Sequence, residues 1–278
     1  MNAKVALVTG ANTGIGRVTA RELALQGAHV FLACRSLQKT RPVLDEIAEQ
    51  SGGKAKVSFL PLDLADLDSV RKCAQGFLEQ GLPLHLLICN AGLAGAKGKT
   101  ASGFELTFGT CHVGHFLLTQ LLLDSIKRAA PARIVVVASK MHTGVNTIDF
   151  DAVRKPTRSF GALKEYSVAK LANILFAKQL ARQLEGTGVN TYALHPGVVA
   201  TDVWRFLHWP LDKWIKRSML TPEEGAATSL YCATSDEVSE QSGLYYKKCQ
   251  VIEPSAAAQD PALAKQLWDA SQRWVQSG

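Results

Sequence analysis

Two kinds of segment alternate along this chain. Short runs, most of them rich in Val, Ile and Leu, occupy residues 5–8, 29–33, 57–62, 84–89, 134–138 and 190–194, with a seventh near 244–246. They lack strict polar alternation, so they predict strands covered on both faces. Between them, apolar residues recur every three or four positions over 14–26, 37–50, 67–80, 114–128, 161–184 and 222–233, which predicts helices. This rhythm predicts a doubly wound, parallel α/β sheet of about seven strands, with helices on both faces and right-handed crossovers. No internal repeat, low-complexity tract or linker divides it, so a single domain is expected. No apolar run reaches the ~18 residues that cross a bilayer.

Composition adds exclusions. The chain has 278 residues, 47% hydrophobic and 20% charged, enough apolar material for one large core and too much for a disordered chain. The net charge of +7 is dispersed, its densest cluster being Lys213, Lys216 and Arg217, so no nucleic-acid partner is expected. Six cysteines, at 34, 73, 89, 111, 232 and 249, form no CxxC pair. That pattern fits reduced thiols in a cytosol-like compartment. With the first strand starting at residue 5, no signal peptide is expected, and the expected location is cytoplasmic unless a membrane anchor precedes this sequence.

The first strand runs directly into Thr9-Gly10-Ala11-Asn12-Thr13-Gly14-Ile15-Gly16 and then a helix. Glycines permit a tight turn and close approach of backbone to a diphosphate, and the following helix offers free N–H groups and a positive dipole end. At the head of a βαβ unit this spacing predicts a Rossmann-like dinucleotide site. The second strand ends Cys34-Arg35-Ser36, with Lys39 following. A cofactor without a 2′-phosphate is held by an acidic residue near this point, and none is present. Arg35 offers a planar fork for a phosphate and Lys39 adds charge. NADP(H) is therefore expected over NAD(H).

Tyr166 and Lys170 are four residues apart on the 161–184 helix and so share one face. A phenol beside a cation can exchange a proton with an alcohol or carbonyl. Ser139 ends the fifth strand, at the carboxyl edge where such sheets hold ligands. With Asn90-Ala91-Gly92 after the fourth strand and Pro196-Gly197 after the sixth, these motifs resemble the short-chain dehydrogenase/reductase family. The match runs from about residue 4 to 268. Leu32-Ala-Cys-Arg35, Gly114-His-Phe-Leu-Leu-Thr119 and His195-Pro-Gly-Val198 are similar to its retinol-dehydrogenase-like branch.

The resemblance implies roles. Tyr166 is the proton donor in reduction, Lys170 supports it and binds the nicotinamide ribose, and Ser139 orients the substrate oxygen. Gly10, Asn12, Thr13 and Ile15 contact diphosphate and ribose, with Gly14 and Gly16 shaping the loop. Asp63 and Leu64 hold the adenine, Asn90, Ala91 and Gly92 line its ribose, and Pro196, Gly197 and Thr201 hold the nicotinamide. The implied substrate is a small hydrophobic aldehyde, ketone or alcohol of retinoid or lipid-derived type, and the implied assembly a monomer or homodimer.

One position departs from the family: Cys111 stands where an Asn is usual. In the family that residue's main chain holds a water of the proton relay, a task any side chain permits. An NADP(H)-binding regulator with little turnover stays open as an alternative. His112 and His115 lie three apart but lack further ligands at metal spacing, so no metal is expected. His142 allows either a substrate contact or a turn-stabilising role. Residues 201–221 carry three Trp, apolar positions three and four apart, and basic residues. They are expected to form a substrate lid, with peripheral membrane contact through their basic edge.

Overall fold

The computed structural model describes residue 1, residues 3–199 and residues 219–276. Thr201 and nearly all of the expected lid lie outside the described residues. Eight strands form one sheet in the order β3-β2-β1-β4-β5-β6-β7-β8: β1 Val5–Thr9, β2 His29–Cys34, β3 Val57–Pro61, β4 Leu86–Cys89, β5 Ala132–Val137, β6 Val189–His195, β7 Leu244–Lys247 and β8 Gln250–Val251. All pairings are parallel except the last, in which β8 returns antiparallel on β7. The strand count exceeds the seven expected because β8 follows a two-residue turn, Lys248-Cys249, with both residues at positive φ (51° and 59°). Asn-Gly is the usual marker of such a turn, and its absence hid the hairpin.

Side chains alternate between two cores, as the strand period of two requires. In β1, Leu7 enters one core while Ala6 and Val8 enter the other. The first is covered by α3 Leu67–Leu78, α5 Gly114–Arg128, α6 Leu163–Gln183 and the C-terminal α9 Pro261–Gln276, where Trp268 packs edge-on to Phe116 with ring centroids 4.9 Å apart. The second is covered by α1 Gly14–Leu25, α2 Leu37–Gln50 and α7 Pro222–Thr234. The α7 start is written in sequence. The Thr221 hydroxyl accepts from the Glu224 N–H, the Glu224 carboxylate accepts from the Thr221 N–H, and Pro222 supplies the helical φ without needing a partner.

Two irregularities sit near the carboxyl edge. The helix leading into α5 begins as a single turn, α4 Leu106–Phe108, and passes through a π-helical turn, Gly109–Val113. Although Leu106–Arg128 is long and apolar enough to cross a membrane, it is mostly buried within the fold. Helix α6 starts at Leu163 rather than 161, because Gly161 and Ala162 both hold positive φ (64° and 56°). A short helix, α8 Ala256–Gln259, precedes α9.

Candidate active site

The strand order reverses between β1 and β4, and the crevice at such a switch point is where these sheets hold ligands. Gly10 takes φ +66°, turning the chain out of β1 into a loop that ends on the N-terminus of α1. Thr13 makes no side-chain cap to that helix, so the first-turn N–H groups of Gly14, Ile15 and Gly16, which line the cleft, suit an anion. The loop is fastened to the turn after β4. The Thr9 hydroxyl accepts the N–H groups of Asn90 and Ala91, each at 3.0 Å, and the Asn90 amide donates to the Thr9 carbonyl at 2.9 Å.

One cleft of about 620 Å³ collects every expected site residue except Thr201. Arg35 and Lys39 line it beyond the end of β2, where Cys34, and no carboxylate, closes the strand. Asp63 and Leu64 line the same end, with the Asp63 carboxylate accepting the Ala65 N–H at 3.0 Å. Pro196 and Gly197 follow β6 at the other end. His195, Leu93, Leu106, Met141, Val198 and Val199 also line the cleft. Apart from His195 and Val198, which fall inside a recognised motif, no local signal marks them.

Ser139 stands in extended backbone at the head of a 3₁₀ turn, Lys140–Gly144, its oxygen accepting the Met141 N–H at 3.2 Å. One turn apart on α6, Tyr166 is 7% exposed and Lys170 is 3% exposed. The ammonium lies 5.6 Å from the Tyr166 ring centre and donates to the Val137 carbonyl at 2.9 Å. Asn173 donates to that same carbonyl at 3.1 Å, so the end of β5 orients the face of α6 that carries Tyr166 and Lys170.

His142 resolves in favour of the turn. Its Nε2 accepts the Ser255 N–H at 3.1 Å, which places the proton on Nδ1, and Nδ1–H donates to the Ser139 carbonyl at 2.7 Å. Both ring nitrogens are spent on stapling Ser139 to the C-terminal segment. Cys111 is fully buried in the π-helical turn with Sγ 3.9 Å from the Leu93 carbonyl. His112 bonds Ser271 of α9 through Nε2 at 2.9 Å. Among the described residues no three potential metal ligands cluster.

Burial drives His112 to about 3, and His115 and His195 to about 4. In the unfolded chain each binds a proton as pH falls through ~6.5, while in the folded chain each stays neutral until near its lowered value. Unfolding therefore takes up protons in that window, and stability present above pH ~6.5 is lost as pH falls toward 4. One pKa unit corresponds to ~1.4 kcal/mol per group. The melting temperature is expected to fall steeply between pH ~6.5 and ~5, less so in His112→Gln, which keeps a partner for Ser271. A flat profile would show that these rings titrate at ordinary values.

A cleft that joins a diphosphate cradle to a hydroxyl, a phenol and an ammonium is that of a nicotinamide-dependent oxidoreductase, and comparison with known proteins gives the family. The sequence profile described as short chain dehydrogenase matches residues 4–209, and the chain belongs to that family, in its retinol-dehydrogenase-like branch. It is 44% identical to human (Homo sapiens) retinol dehydrogenase 11 over 275 residues, spanning 96% of this chain and 84% of that protein. A crystal structure of a Mycobacterium paratuberculosis protein matches with TM-score 0.79 at 31% identity, covering 99% of this chain and 94% of that one. A Beutenbergia cavernae protein assigned as an NAD(P)-dependent gluconate 5-dehydrogenase, with NADP bound, matches with TM-score 0.70 at 25% identity, over 89% and 96% of the two chains.

Proposed function

We propose that this chain moves a hydride between NADP(H) and a hydrophobic aldehyde or ketone, or the corresponding alcohol, of retinoid or lipid-derived type. The observation that carries the reading is the convergence of Ser139, Tyr166 and Lys170 on the cleft that also holds the glycine loop. The residues fit the cofactor: first-turn N–H groups of α1 line the place for a diphosphate, and Arg35 and Lys39 line the place for a 2′-phosphate. When bound, the nicotinamide supplies or takes up the hydride.

The protein's own part is proton transfer and orientation. Ser139 Oγ–H donates to the substrate oxygen and aims it at Tyr166. The Tyr166 hydroxyl gives its proton to that oxygen in reduction and takes it back in oxidation. The buried Lys170 ammonium, 5.6 Å from the ring, stabilises negative charge left on the phenol oxygen. Val198, Val199, Leu93 and Leu106 give the cleft an apolar wall, which favours a hydrophobic substrate and keeps water from the reacting carbon. The resemblance to a human retinol dehydrogenase supports the substrate class.

Loss of NADPH absorbance against a panel of aldehydes that includes retinal tests the reading; a chain that binds NADPH but is silent on the whole panel is a regulator instead. The cofactor choice has its own test. Losing a charge-assisted phosphate contact costs about 1.5–3 kcal/mol, or roughly ten- to hundredfold. Arg35→Ala is expected to raise KM for NADPH by about that factor and to leave KM for NADH nearly unchanged. A rise for NADPH of less than about threefold overturns the assignment.

A further inference from the structure

His115, one residue into α5, is fully buried, and both its ring nitrogens have partners. Nδ1 lies 2.9 Å from the Cys111 carbonyl oxygen, and Nε2 lies 2.8 Å from the Thr9 hydroxyl. A carbonyl only accepts, so the proton is on Nδ1; the bare Nε2 then accepts the single Thr9 O–H proton, the other acceptor within reach of that hydroxyl being the Ile88 carbonyl at the longer 3.3 Å. Burial keeps the ring neutral, with the Lys170 ammonium nearby adding to that effect. The same Thr9 oxygen accepts the N–H groups of Asn90 and Ala91. At the other end, the position a Gly92 Cβ would occupy is 3.4 Å from Cys111 Sγ and 3.5 Å from Lys170 Nζ. A hydrogen-bonded path thus runs from the cofactor-side turn, through the imidazole, to the π-helical turn beside Lys170.

We propose that His115 is a positioning residue with two separable tasks: through Nε2 and Thr9 it fixes the Asn90–Gly92 turn for cofactor binding, and through Nδ1–H it fixes the Cys111 carbonyl for turnover. This rests on the oxidoreductase reading. The Nδ1–H bond, at 2.9 Å, holds the Cys111 carbonyl, the group that the family resemblance makes the seat of a relay water.

Asn and Gln separate the tasks. The Asn amide nitrogen stands near the place of Nδ1 and can donate to Cys111, but Asn is too short for Thr9. The Gln amide oxygen stands near the place of Nε2 and can accept from Thr9, while the donor to Cys111 is lost. One hydrogen bond corresponds to roughly two- to tenfold. His115→Asn is expected to weaken NADPH binding about fivefold or more with kcat within about twofold. His115→Gln is expected to lower kcat about fivefold or more with the NADPH Kd within about twofold. Melting temperatures, and His115→Leu losing both functions, complete the set. Equal loss of kcat and affinity in the Asn and Gln variants, tracking the fall in melting temperature, overturns the proposal, as does no loss in either. A wild-type chain that binds NADPH without turnover defeats the oxidoreductase reading and the Cys111 half with it, whereas NADPH Kd values still decide the Thr9 half.

Discussion

Removing one oxygen atom, in Tyr166→Phe, is expected to lower kcat by about 10²–10⁴-fold, the range that general acid catalysis contributes. The ring is 7% exposed and Phe preserves its packing, so neither the melting temperature nor the NADPH Kd should move much. What disappears is the only atom in the proposed scheme that passes a proton to the substrate oxygen. Ser139 does not replace it, because an aliphatic hydroxyl is a far weaker acid than a phenol and can hydrogen-bond the substrate oxygen without giving up its proton. Lys170 does not replace it either, being held against the Val137 carbonyl. Retention of more than about a tenth of wild-type kcat, with the fold intact, would remove Tyr166 from the role assigned to it.

The parts of this site that were readable in the sequence are those whose cause is local. The glycine loop needs only strand, turn and helix start in succession. Tyr166 and Lys170 need only a four-residue spacing on one helix, and the two-face burial of β1, β4 and β5 follows from their Val, Ile and Leu content. The parts that escaped depend on residues far apart or on backbone that composition does not mark. Lys248-Cys249 adopts a turn usually signalled by Asn-Gly, so β8 was invisible. Nothing in Gly109–Val113 announces a π-helical turn, since apolar spacing there fits an ordinary helix. His112 and His115 looked like neighbours on one face, yet their partners are Ser271 and Thr9, at opposite ends of the chain. His142 was ambiguous for the same reason: its deciding partner, Ser255, is 113 residues away. By contrast α9 carries a plain local signal, with buried Leu263, Ala264, Leu267, Trp268, Ser271 and Val275 on one helical face.

Gly16→Ala is expected to disable the cofactor site outright. A Cβ at this position would lie 2.3 Å from the Gly10 carbonyl oxygen, 2.4 Å from the Asn90 amide nitrogen and 2.9 Å from the Gly10 carbonyl carbon. None of these can yield cheaply. Gly10 is committed to its positive φ by the turn out of β1, and Asn90 is tied by its side chain to the Thr9 carbonyl at 2.9 Å. The added methyl must therefore push α1 away from the loop, opening the row of N–H groups at the head of α1 that would hold the diphosphate. Overpacking of this kind costs about 1–3 kcal/mol of stability, and NADPH affinity should fall by more than about tenfold as the diphosphate contacts are lost. Gly76→Ala is the control. It lies inside α3, where a Cβ meets nothing closer than Leu60 Cδ2 at 3.8 Å, so relief of the glycine penalty should stabilise by about 0.5–1 kcal/mol with NADPH binding unchanged. If Gly16→Ala binds NADPH as tightly as Gly76→Ala does, the glycine loop is not where the diphosphate rests.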